Sequence, residues 1–95
     1  FAECKHRNFN WGDYPDVMIS LSKVQQAESL QRVTGLNTIF VVRANNRIFH
    51  TTLNHCVNEP NWLRFGGRTV NTRDDGDVEP VYHIPINQFV EVVNG

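Results

Sequence analysis

The sequence predicts an α/β fold, a mixed β-sheet with a flanking crossover helix, and three observations predict it. The opening run Phe1-Ala2-Glu3-Cys4-Lys5-His6 has the alternation of a strand, with Glu3 and Lys5 on one face and Ala2 and Cys4 packed on the other. From about Ser20 to Val33, the residues Leu21, Val24, Ala27, Leu30 and Val33 recur at every third position, the stripe of a helix that faces a core. Thr38-Ile39-Phe40-Val41-Val42 is β-branched and aromatic with little alternation, as expected of a central strand buried on both faces. Parallel strands need a crossover of a dozen or more residues, and Arg7–Leu36 is long enough to supply one.

The first strand leads into Arg7–Pro15, a polar, turn-rich loop with Asn8, Asn10, Gly12 and Asp13. Its aromatics Phe9, Trp11 and Tyr14 are expected to anchor it to the domain, with base stacking by Trp11 or Tyr14 as the alternative. Pro15-Asp16 reads as a turn before the short apolar approach Val17-Met18-Ile19. Ser20 or Ser22 supplies the helix cap and Thr34-Gly35 the stop, since glycine tolerates the positive φ found just past a helix end. Lys23 sits in the first turn, against the helix dipole, which invites a functional explanation. Asn45-Asn46 is a hairpin turn, and Arg47–Leu53 returns antiparallel. Asn54–Asn61 reads as loop, Trp62–Phe65 and Val78–Ile84 as strands, the latter broken by Pro80, and Pro85–Val93 as a short closing helix or strand.

Ninety-five residues make at most one small domain, and a 40% hydrophobic content with six Phe, two Trp and two Tyr argues for a folded globule. No apolar run approaches the ~20 residues of a membrane span, so no membrane partner is expected. The net charge of −1 means that nucleic-acid binding has to come from local clustering. Cys4 and Cys56 are too few for a disulfide framework and are expected as reduced thiols.

The chemistry concentrates at the start. A carboxylate at Glu3 can hold a divalent metal, the Cys4 carbonyl can add a second oxygen, and the Lys5 ammonium can stabilise charge developing on a phosphate. Glu-x-Lys by itself also describes a solvated surface ion pair. Elsewhere, Arg64, Arg68 and Arg73 surround Gly66-Gly67 in a basic loop suited to phosphates, although Asp74, Asp75, Asp77 and Glu79 follow at once and can neutralise them. His50, His55 and Cys56 lack the paired spacing of a zinc site, and His6 reads as a packed or hydrogen-bonded histidine.

A strand with Glu-x-Lys, a helix with Lys in its first turn, and then a buried strand together resemble the second half of the PD-(D/E)xK nuclease core. That restriction-endonuclease-like fold is shared by restriction enzymes, Holliday-junction resolvases and small phage-type nucleases. The resemblance covers Phe1 to about Ala44, and the later Gly-Gly-Arg and Val-Tyr-His-Ile-Pro-Ile segments resemble the closing part of some phage-type members. It implies Glu3 and the Cys4 carbonyl as metal ligands and Glu3, Lys5 and Lys23 as catalytic residues, with Gln25 and Gln26 behind Lys23. It implies Mg²⁺ as cofactor, with Mn²⁺ possible, DNA as partner contacted by Arg7, Arg64, Arg68 and Arg73, and a bacterial or phage-infected cytoplasm. The family also carries an Asp on the preceding strand. The expectation is therefore a single nuclease-like domain over residues 1–95, truncated at the N-terminus and inactive or weak alone, with the missing half supplied from upstream, by a homodimer or by a second chain. Two alternatives stand beside it: a non-catalytic DNA- or protein-binding module of the same fold, and an RNase using two of His50, His55 and His83 as acid and base.

Overall fold

In a computed structural model that describes residues 1–65 and 80–93, Ala2–Arg7 form β1 and Asp16–Ser20 form β2. Helix α1, Leu21–Thr34, follows β2 directly: Ser20 keeps an extended backbone and its hydroxyl accepts the Lys23 N–H at 3.4 Å, satisfying one of the orphan donors of the first turn. Gly35 ends the helix in the left-handed region, φ 76°, where its N–H closes on the Gln31 carbonyl at 2.7 Å. The strands β3, Ile39–Ala44, and β4, Arg47–Thr52, are joined by the predicted tight turn, for which Asn45 takes φ 52°. Two 3-10 turns, Leu53–Asn58 and Pro60–Trp62, lead to β5, Leu63–Phe65. The chain then gives β6, Pro80–Pro85, a 3-10 turn at Ile86–Gln88, and β7, Val90–Glu91.

The strands make two sheets. One is mixed, in the order β1-β3-β4-β7, with β1 parallel to β3 and the other pairs antiparallel. The second is antiparallel, in the order β2-β6-β5. The crossover between the parallel strands contains α1, as expected of the α/β fold, and it also contains β2. Phe40, Val42 and Phe49 from the first sheet pack with Val17, Ile19, Tyr82 and Ile84 from the second and with Val24 and Ala27 of the helix, in one buried cluster. Each large side chain buried there contributes about 1.5–3 kcal/mol. Among the described residues no helix is long and apolar enough to cross a membrane.

Several expectations are corrected. Asp16 is not in a turn, since Asp16–Ser20 form a strand whose Val17 and Ile19 face the core. The expected loop Asn54–Asn61 is not open, because two 3-10 turns run through it and the first, which takes Leu53 from the end of the expected strand, buries Leu53, Asn54 and Cys56. β3 is buried on one face only, with Phe40, Val42 and Ala44 inside and Ile39 and Arg43 outside, because the far face of its sheet has no helix across it among the described residues. The helix stripe is shorter than its sequence period, burying Val24 and Ala27 while Val33 is 84% exposed beyond the edge of the core.

Candidate active site

The alternation of β1 sets the site. Glu3, Lys5 and Arg7 are half-buried on the side of the sheet where their β3 partners Phe40, Val42 and Ala44 enter the core. Ala2, Cys4 and His6 point the other way and are exposed, so the expected packing of Ala2, Cys4 and His6 does not form. α1 crosses the polar side and brings Lys23 Nζ to 3.5 Å from Glu3 Oε1. Both side chains remain partly in water, and such a pair contributes about 0–1 kcal/mol. Its larger effect is positional: the cation that opposes the helix dipole has a carboxylate to meet.

Glu3 and Lys23 close a cavity of about 180 Å³ that Gln26 and Thr38 also line. The Thr38 hydroxyl is buried there, with no hydrogen-bond partner among the described residues. Below it, Asn54 is a buried clamp. Its Oδ1 accepts the Thr38 N–H at 2.9 Å, and its Nδ2 donates to the Ala27 carbonyl at 3.2 Å and to Gln31 Oε1 at 3.3 Å. A loop reading of Asn54 could not have found this, and the residue's only sequence signal is its place directly after Leu53, the apolar residue that follows β4.

Backbone direction separates Glu3 from Cys4. The carbonyls of Phe1 and Arg7 accept the Ile39 and Asn45 N–H groups of the neighbouring strand, and a period of two gives Glu3 and Lys5 the same orientation. The Cys4 carbonyl therefore faces the other way, toward the outer edge of β1. The Cys4 thiol is exposed and the Cys56 thiol buried, both unpaired as expected, and burial pushes the Cys56 pKa up to about 12.

The remaining candidates disperse. Arg7 ends β1 and lines a second cavity of about 350 Å³ with Asn8, Phe9, Tyr14, Asp16 and Met18. Arg64 is exposed on β5, in the other sheet, and Arg68 and Arg73 lie outside the described residues. His50 is on β4, His55 is exposed in the 3-10 turn, and His83 on β6 bonds Asp16 Oδ1 through Nδ1 at 3.2 Å. Among the described residues no hydrogen bond joins any two of these histidines. Nor does any group of three or more His, Cys, Asp or Glu there stand together as a metal cluster.

A family model described as "Phage putative PDDEXK endonuclease" matches residues 1–92. The chain belongs to this PDDEXK endonuclease family. No curated protein and no solved structure matches it. PDDEXK nucleases generally use divalent metals. The donors at β1 suit such an ion in part: a carboxylate on the face of the strand and a carbonyl at its edge are hard oxygen ligands, of the type and number that Mg²⁺ takes from protein when waters and phosphate complete its shell.

Proposed function

We propose that the chain is a metal-dependent endonuclease or resolvase domain that hydrolyses DNA phosphodiester bonds with Mg²⁺, or with Mn²⁺ in its place. The observation that carries this reading is the gathering of Glu3, Lys5 and Lys23: a carboxylate and an ammonium on one face of β1, with a second ammonium brought over them by the helix. Glu3 and the Cys4 carbonyl would hold the metal ion, which when bound supplies charge to phosphoryl oxygens and acidifies water. Lys5 then orients the attacking water and offsets the negative charge that grows on the phosphate as the new P–O bond forms and the ester P–O bond breaks. Lys23 holds the Glu3 carboxylate in place and can follow the phosphate as it enters. Arg7, further along the same face, contacts the next part of the DNA backbone. A second carboxylate, from this protein or from a second copy, would complete the ion's protein ligands.

The test is plasmid cleavage with and without EDTA, alongside calorimetric Mg²⁺ and Mn²⁺ titration. Slow metal-dependent cleavage is expected from the chain alone. Glu3→Gln should lose cleavage and metal affinity together, while Lys5→Ala should cut turnover by about 10²–10³ and retain metal affinity. Undiminished cleavage in EDTA would refute the reading. DNA binding with no metal-dependent cleavage, even at high protein concentration, would point instead to a non-catalytic module, a reading that the existing neutralisation of Glu3 by Lys23 favours.

A further inference from the structure

We propose that the cavity between the end of β1 and the start of β2 receives an unstacked nucleobase of the DNA strand, guanine by preference. The proposal rests on the nuclease reading for its ligand class and on separate residues for its site. The cavity, about 350 Å³ in volume, falls within the ~300–1,000 Å³ of small-molecule pockets and has room for a base.

Its walls and rim have divided chemistry. Of the loop aromatics, Trp11 is occupied, stacked on Phe49 with ring centroids 3.7 Å apart and edge-on to Phe89 at 5.2 Å. Tyr14 is 59% exposed, with Phe9 behind it at 5.4 Å, so a rigidly backed aromatic ring stands open beside the cavity. Any base can stack on such a ring, because every base has a π-face. Asp16 supplies the acceptor. His83 holds its Oδ1 at 3.2 Å, while its Oδ2 makes no hydrogen bond among the described residues. His83 is almost enclosed, and among the described residues its Nε2 has no partner, so there Asp16 is the group that fixes the ring and is fixed by it. Against a carboxylate, Nδ1 is the donor. Arg7 and Asn8 line the same cavity and bring side-chain donors to it.

A cavity that holds both an acceptor and donors selects among bases. Guanine presents its N1–H and N2 amino donors beside the O6 acceptor, which matches the Asp16 carboxylate together with the Asn8 amide. Thymine offers a single imino donor. The place also suits a strand held at Glu3: Arg7 lies on the same face about 13 Å further along β1. A stacked strand covers that distance in about four nucleotides at 3.4 Å each, and an unstacked one in fewer. Because a paired base has to be unpaired and unstacked before it can enter, the preferred ligands are single-stranded, mismatched or branched DNA.

The experiment is fluorescence-anisotropy binding in EDTA, using oligothymidylates of about eight nucleotides with one central guanine, adenine, cytosine or thymine. The wild-type chain should bind the guanine oligonucleotide about tenfold more tightly than all-thymine, roughly 1.4 kcal/mol. Asp16→Asn, which can still accept from His83, should lose that preference and keep its affinity for all-thymine. Tyr14→Ala should weaken every oligonucleotide about tenfold, and Tyr14→Phe should restore binding. Equal affinities for all four bases would overturn the guanine assignment, and wild-type binding by Tyr14→Ala would overturn the site. Glu3→Gln should retain the preference. Cleavage without base preference would sink this inference alone, whereas base preference without metal-dependent cleavage would sink the nuclease reading alone.

Discussion

Asn54 ties three segments by one side chain, and that makes it the most consequential polar residue of the fold. Asn54→Ala leaves the Thr38 N–H and the Ala27 carbonyl to find other partners, and each buried group left unmatched costs about 1–3 kcal/mol. A lowered urea midpoint with an unchanged slope would check this; a midpoint equal to wild type would contradict it. Cys56 and Tyr82 give the fold an alkaline limit. Burial raises both pKa values, that of Cys56 from 9.0 to about 12. Folded-state values above the unfolded ones mean that this stability is complete below pH 9 and falls as pH rises toward 12, because the unfolded chain releases protons that the folded one keeps. Each group adds at most about 1.4 kcal/mol per pH unit to the slope. Urea unfolding at a series of pH values should show Cys56→Ala losing part of the decline and keeping the share due to Tyr82.

Among elements, α1 was the most legible, because its signals are local: Ser20 caps it, Gly35 stops it, and each acts through its own backbone. At Gly35 an added Cβ meets no heavy atom within 4 Å among the described residues beyond its chain neighbours, so Gly35→Ala should cost only backbone strain, about 1–2 kcal/mol, and Gly35→Asn less, measured as thermal-midpoint shifts. β2 was illegible for the opposite reason. Pro15-Asp16 carries turn chemistry, and only pairing with the distant Pro80–Pro85 segment makes the residues after it a strand. The two residues of β7 likewise lack a pattern of their own. Arg47 holds them by a fork on Glu91, Nε to Oε2 and NH2 to Oε1 at 2.8 Å each, and the Val92 N–H reaches the Ile48 carbonyl at 2.8 Å. The Arg47 guanidinium, by hydrogen bonding its carboxylate, holds the Glu91 carboxyl below its ordinary 4.5, so this support is present above that pH and is lost as pH falls. Arg47→Ala should accelerate amide exchange at Val92 at neutral pH, with little change at Val42 in the core.

For the whole molecule, the parallel pairing of the first and central strands followed from connection length, whereas the division into two sheets did not. The polar spacing of Glu3, Lys5 and Lys23 was visible because strand and helix periods fix directions, but Asp16, His83 and Thr38 meet their surroundings across long separations. The two sheets nonetheless share one buried cluster, with Trp11 stacked on the first and Trp62 packed at the entrance to the second. Unfolding by tryptophan fluorescence and by far-ultraviolet dichroism should therefore coincide in a single transition. Separate midpoints would show that the sheets fold independently.

β1 also predicts an unusual tolerance map. At Ala2, Cys4 and His6 the side chains meet water and the N–H groups face the outer edge, so only the carbonyl at Cys4 has a proposed use, and every amino acid carries one. At Glu3 and Lys5 the side chain and the inter-strand N–H are both engaged. A saturation scan of the strand should thus read as alternating permissive and restrictive positions. Even proline, which forfeits its N–H but keeps its carbonyl, should be accepted better at Cys4 than at either neighbour.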